Sequence, residues 1–332
     1  MHLYQIALIG ISSLALAVSQ APSSNLNTQN DLQHSLPVKI IHQFPVGNSV
    51  ENLAVRQNGK VLTTIIDHPE LYQIDPFHGE TAELISNSFG PVSGLFGIIE
   101  TYRDIFYVAA GNFSTTTFAS IPGTYSVWKV DLTSHQIPAP TSKIADFPGM
   151  LNGMALLSKE KDLILIADSV AGIVWRLNVC SGEALPIIKI PEMLPPPPPA
   201  FQLGVNGIKI RDGVLYFTNT GANTFYRLPI HANGTAAGNP SIVASGLDFV
   251  DDFQFNDRGD AFIALNFVGE LVEVTPKGKK TVLVGNTTLT LPNPTAVQFG
   301  RTFADRQSLY ITEDGNATRG GRLSRVDVGS EC

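Results

Sequence analysis

Six residues of this chain recur at matching places and belong to types that bind hard cations or hydrogen-bond a substrate: Glu51, Ser93, Asn152, Asn206, Asp251 and Thr295. Each is the second residue of a phrase in which a small or polar pair opens an alternating apolar run. The phrases are Val50-Glu51-Asn52-Leu53-Ala54-Val55, Val92-Ser93-Gly94-Leu95-Phe96-Gly97, Leu151-Asn152-Gly153-Met154-Ala155-Leu156, Val205-Asn206-Gly207-Ile208-Lys209-Ile210, Val250-Asp251-Asp252-Phe253-Gln254-Phe255 and Pro294-Thr295-Ala296-Val297-Gln298-Phe299. Carboxylate and amide oxygens converging on one point are ligands for hard cations. Glu51, Asn152, Asn206 and Asp251 supply two of each. That set suits one calcium in a central channel better than zinc, because no histidine or thiolate is among them. The plainer alternative is that these residues cap strand ends and fill a wet channel. As hydrogen-bond donors, Asn152, Asn206, Thr295 and Ser93 could instead polarise a bound carbonyl or phenol.

The spacing says which elements must position them. Successive second residues are 42, 59, 54, 45 and 44 apart, a period typical of propeller blades of several strands each. Each phrase is an inner strand, followed after a tight turn by a second strand; Asn58-Gly59, Asp212-Gly213 and Arg258-Gly259 are hairpin turns. Third strands follow in all six blades and fourth strands in five, so the last blade lacks one. The alternating segment Val38–Phe44 is placed to fill that gap and close the ring, leaving no open edge. The fold class expected is all-β, a six-bladed propeller closed by an N-terminal strand over residues 38–332.

Strand polarity sorts the loops. Asp67-His68-Pro69, Gly111–Gly123, Asn266–Val268, Asp314–Gly320 and the connections between blades fall on one face, called upper here. Two of the upper loops are long. Gly111–Gly123 carries Phe113 and Phe118; Pro191–Gly204 carries Met193, Leu194, Phe201 and the run Pro195–Pro199, stiff enough to form a wall. Phe96, Phe113, Phe118, Phe201, Phe253 and the phenylalanine that follows Asn266, Phe267, are the candidates for an apolar substrate surface. Arg319 is the only basic residue on the upper loops. His68, beside Asp67, is the one histidine expected near the axis on this face and the sole candidate general base. Neither a Gly-x-Ser-x-Gly elbow nor a phosphate-binding loop is present.

Net charge is −7, which points away from nucleic acid and anionic membranes and towards a small molecule. Residues 1–19 read as a secretory leader, with an apolar run ending at Ala17-Val18-Ser19. Residues 20–37 are polar and read as a flexible lead-in. Once the leader is removed, no run is long enough to span a membrane. Sequons at Asn112, Asn233, Asn286 and Asn316 fit passage through the secretory pathway, to the exterior or a vesicle lumen. Cys180 and Cys332 belong to blades on opposite sides of the ring, so no disulfide between them is expected.

The phrases VENLAVRQNGKVL, LNGMALLSKEKDLILIADS, VNGIKIRDGVLYFTNT and VDDFQFNDRGDAFIAL resemble those of gluconolactonase/senescence-marker-type six-bladed propellers, over roughly 38–328. The resemblance implies a divalent cation held by Glu51, Asn206 and Asp251, with Asn152 beside the substrate. The chain departs from that family's Glu-Gly and Asp-Gly pairs, having Glu51-Asn52 and Asp251-Asp252. The leader, the opening VGNSVENLAVRQNGKVLTTI, the aromatic upper loops and PTAVQFG also resemble the fungal hetero-Diels–Alderases of tropolone sesquiterpenoid biosynthesis. This second resemblance implies a secondary-metabolite cyclase. It would join an apolar terpene alkene to a quinone-methide-type heterodiene by orientation and hydrogen-bond polarisation, with no cofactor required. The alternatives are a calcium-dependent lactonase and, third, a secreted binding propeller without chemistry.

Overall fold

The computed structural model describes residues 35–78, 81–285 and 290–329. They form six four-stranded antiparallel sheets. The first strands of the sheets, Val50–Val55, Gly94–Tyr102, Leu151–Ser158, Val205–Arg211, Val250–Phe255 and Pro294–Phe299, abut one another in sequence. Pro294–Phe299 in turn abuts Val50–Val55, so the ring is closed. The expected inner strands are all present. The sixth blade takes its outer strand from Val38–Gln43, which pairs antiparallel with Arg322–Asp327, from Val38 opposite Val326 to Gln43 opposite Arg322. No α-helix occurs among the described residues.

The second strands of the blades are nearly continuous apolar runs because they are covered on both faces. In Leu163–Asp168, Ile164 and Ile166 pack towards blade two, while Leu165 and Ala167 pack towards blade four. The same alternation gives six separate apolar clusters, one between each pair of neighbouring blades. A fully buried Leu, Ile or Phe contributes about 1.5–3 kcal/mol, so each blade is held chiefly by its two neighbours.

Glycine after the polar position has a steric reason. A Cβ on Gly153 would lie 2.5 Å from the Asn206 carbonyl oxygen, and one on Gly207 would lie 2.5 Å from Asp252 Oδ1. Bare backbone lets adjacent inner strands converge and brings their second residues together. Where the phrase has Asn52 and Asp252 instead, the two side chains bond to each other at 3.3 Å, and Lys209 Nζ donates to Asp252 at 2.7 Å. This buried group occupies the channel at the level just below Glu51 and Asp251.

Two local elements were not expected. The upper loop of blade two folds into a small hairpin, Phe113–Ser114 against Ala119–Ser120. The long loop between blades three and four opens with a single 3-10 turn, Pro191–Met193.

Candidate functional site

A small cavity of about 60 Å³ lies at the upper end of the axis. Its polar wall is Glu51, Asn152, Asn206, Thr220, Asp251, Asn266 and Asp314, and its apolar wall includes Ile66, Met150 and Leu203. Larger cavities of about 560 and 590 Å³ open elsewhere, among the lower ends of the inner strands and beside blades five and six; neither is lined by these residues.

The geometry centres on Asp251. Asn206 Nδ2 donates to Asp251 Oδ1 at 2.8 Å and to Thr220 Oγ1 at 2.9 Å. Asn266 Nδ2 donates to Asp251 Oδ2 at 3.3 Å and to Asp314 Oδ2 at 3.1 Å. The amide oxygens of Asn206 and Asn266 are buried and have no partner among the described residues. Asn152, buried beside them, has no side-chain hydrogen bond there either.

Three carboxyl groups share this small space without a cation in ion-pair range among the described residues. Burial, and then repulsion from Asp251, Asp314 and Asp252, holds the Glu51 carboxyl well above the usual range. Asp251 is raised by burial and by Asp314, against the lowering effect of its two amide bonds. Burial pushes Asp314 up to about 7. Arg319 does not neutralise it directly, since its guanidinium donates to the Asp314 backbone carbonyl at 2.8 Å.

Over the cavity stand five phenylalanines from four loops: Phe113 and Phe118, Phe201, Phe249 and Phe267. Ring centroids lie 5.8 Å apart for Phe118–Phe267, 6.0 Å for Phe118–Phe201 and 5.0 Å for Phe249–Phe267, all edge-to-face. Phe118 and Phe267 are 49% and 45% exposed, so they form the outer rim.

Several expectations are corrected here. Asn206 is not a free donor: both its N–H groups are committed, and it presents its oxygen. Thr295 is buried and does not line the cavity, donating to the Val50 carbonyl at 2.9 Å and lying 2.8 Å from Thr312 Oγ1. Ser93 holds the aromatic hairpin in place, accepting from Phe113 N at 2.9 Å. Phe96 and Phe253 are fully buried in the clusters between blades two and three and between blades four and five, away from the cavity. His68 is exposed, its Nε2 against the Gly47 carbonyl at 3.0 Å, because Asp67 turns back to accept from Ser49 N at 2.8 Å. It is not positioned as a base for this cavity.

Thr220, Asn266, Asp314 and Phe249 were not anticipated. The first three directly follow the second strands Val214–Asn219, Ala261–Leu265 and Ser308–Glu313. They form a second register of the same repeat, legible had the residue after each second strand been compared.

Among the sequons, Asn233 and Asn316 are exposed. Asn112 is partly buried and accepts from Ser93 N at 2.8 Å. Asn286 lies outside the described residues, as do the leader and Cys332; Cys180 is exposed.

As for a cation, the donors are all hard oxygens, and the orphaned Asn206 oxygen fits one. No three carboxyl, imidazole or thiol groups are grouped to hold a metal among the described residues, so calcium here would depend on the amides. Glu51, Asn206 and Asp251 would be its ligands.

The fold and this axial site define a six-bladed propeller with a polar axial cavity under an aromatic mouth. Solved structures of this shape include a calcium-binding protein, regucalcin, from Agrobacterium tumefaciens, with a TM-score of 0.60 at 13% identity over 88% of this chain and 93% of that one. Another, described as a gluconolactonase, has a TM-score of 0.59 at 11% identity, covering 90% and 96%. No family model matches the chain. A protein of Phoma sp. named as a hetero-Diels-Alderase is 30% identical over 304 residues, 83% of this chain and 86% of the relative. A second so named, from Sarocladium schorii, is 26% identical, covering 83% and 78%. The chain belongs to this hetero-Diels-Alderase family and is an enzyme of that kind.

Proposed function

We propose that the enzyme is a secondary-metabolite cyclase that joins an apolar terpene alkene to a quinone-methide-type heterodiene, giving a meroterpenoid of the tropolone class. The observation that carries this reading is the pairing of a five-phenylalanine mouth with an unpaired amide, Asn152, beneath it. In the cycloaddition the heterodiene's four π electrons and the alkene's two rearrange to form one C–C bond, one C–O bond and a new C=C bond within the former heterodiene. Nothing leaves, and no net proton moves. The protein's tasks are therefore to orient the partners, exclude water and polarise the heterodiene. Phenylalanine faces suit the first two tasks, and an Asn152 N–H donated to the heterodiene oxygen serves the third.

The cavity of about 60 Å³ is far below the roughly 300–1,000 Å³ of typical ligand pockets. Substrate binding on this reading requires the aromatic mouth to open, and the half-exposed Phe118 and Phe267 are the side chains free to swing.

The test is incubation with a terpene alkene and a quinone methide generated in situ, followed by chiral chromatography. A single stereoisomer formed faster than background supports the reading. A racemic product at the background rate overturns it. The second reading, a calcium-dependent lactonase, is favoured by the orphaned Asn206 oxygen among carboxyls. It predicts lactone turnover that chelation abolishes, whereas the cyclase works with chelator present. Passage through the secretory pathway is part of the proposal, supported by the exposed sequons at Asn233 and Asn316.

A further inference from the structure

The substrate's polar group can be inferred from the two orphaned oxygens. Asn206 is 3% exposed and Asn266 is 8% exposed, and both line the cavity. Their orientation is set by Asp251. Each amide nitrogen faces an Asp251 carboxyl oxygen, and an amide oxygen turned there would leave that oxygen without its donor. Both carbonyl oxygens are thus left without a donor from the described residues. An unsatisfied buried acceptor costs about 1–3 kcal/mol, so a group that satisfies it gains binding energy. The two amides flank a single carboxyl, that of Asp251, and both residues line the same cavity. Glu51, Asp251 and Asp314 surround them, which rejects an anionic head such as a phosphate or a carboxylate.

We propose that this pocket recognises its substrate through hydroxyl groups, donated to the amide oxygens of Asn206 and Asn266, with the apolar remainder among Phe118, Phe201 and Phe267. The inference rests on the cyclase reading for its choice of site and names the substrate class more closely: a non-anionic, hydroxylated, otherwise apolar molecule. A substrate capped as an ether would bind poorly. On this arrangement Asn152 donates to the substrate, while Asn206 and Asn266 accept from it.

The experiment is a binding titration of the full chain with hexylresorcinol and with its dimethyl ether, a pair that differs only in hydroxyl donors. Hexylresorcinol should bind at least about tenfold tighter, as one to two hydrogen bonds provide. In Asn206→Ala and Asn266→Ala the preference should fall below about threefold while affinity for the ether is kept. Equal affinities of the two probes for the wild-type chain would overturn the proposal, and that comparison stands even if the variants fail to fold. Stoichiometric displacement of hexylresorcinol by calcium would assign the oxygens to a cation and overturn it too. The readout is binding, not turnover. A preference for hexylresorcinol without any cycloaddition would sink the cyclase reading and leave the recognition intact.

Discussion

Asn206 and Asp251 are joined across the boundary between blades four and five by a 2.8 Å hydrogen bond from Asn206 Nδ2 to Asp251 Oδ1. Both are second residues of their inner strands, so the bond ties two copies of the repeat together at the axis. Replacing Asn206 by Asp sets a fourth carboxyl against three that already repel. Asn206→Asp should cost about 2–4 kcal/mol of stability at neutral pH, through an unpaired buried charge and a lost donor. Chemical denaturation at pH 7.5 checks this, and the loss should be smaller at pH 5, since burial favours the protonated form of these carboxyls.

The wild-type chain should itself be stabilised by mild acid. Burial raises Glu51, Asp251 and Asp314 in the folded state, the last to about 7 from its ordinary value of 3.8. Between those values the folded chain keeps a proton that the unfolded chain has released. Stability from Asp314 is therefore fully present below about pH 4 and is lost as pH rises towards 7. Thermal unfolding at pH 5 and pH 8 should show the higher midpoint at pH 5, and Asp314→Asn should flatten the difference. Asp75, Asp131 and Asp327, whose carboxyls are lowered, act in the opposite sense, losing their stabilisation at still lower pH.

Asn152 separates chemistry from folding. Its amide is unpaired in the closed site, so Asn152→Ala removes no internal hydrogen bond. Stereoselective turnover should fall about 10- to 100-fold, in line with loss of one charge-stabilising donor. The melting midpoint should barely move. A variant with full activity would remove Asn152 from the mechanism.

Phe118 sits on the outer rim with a left-handed backbone, at φ 51°. Phe118→Ala removes its edge contacts to Phe113, Phe201 and Phe267. The mouth should then open more readily. Faster association of an apolar probe by stopped flow, with poorer stereoselectivity of product, is the expected result. Phe118→Gly should do the same and also relieve the backbone strain.

Gly153 tests the packing of the ring. A Cβ there would lie 2.5 Å from the Asn206 carbonyl oxygen, a backbone atom that cannot give way cheaply. Gly153→Ala should lower stability by about 2 kcal/mol or more and yield poorly soluble protein. Gly213, in an open turn at φ 74°, meets nothing within 4 Å; there Gly213→Asn should cost only the backbone strain of the left-handed region, less than Gly153→Ala.

What the chain's sequence determined by itself is the periodic part. Strand alternation and the repeat spacing follow from local rules, so the six blades, the closing strand Val38–Gln43 and the convergence of Glu51, Asn152, Asn206 and Asp251 were legible without coordinates. The tertiary structure alone decided which of those polar groups stay available. Thr295 and Ser93 have the same place in the repeat as Asn152, yet they find partners, Val50 in the neighbouring blade and Phe113 in the upper loop of blade two, that the repeat does not specify. The same holds for Asn206, whose role as acceptor depends on Asp251 in the next blade. Phe96 and Phe253 share a residue type with Phe118 and Phe201 but face between sheets, a direction set by the local register of each inner strand. The Phe249–Phe267 and Phe118–Phe201 contacts join loops from separate blades, and no period in the chain encodes how such loops meet.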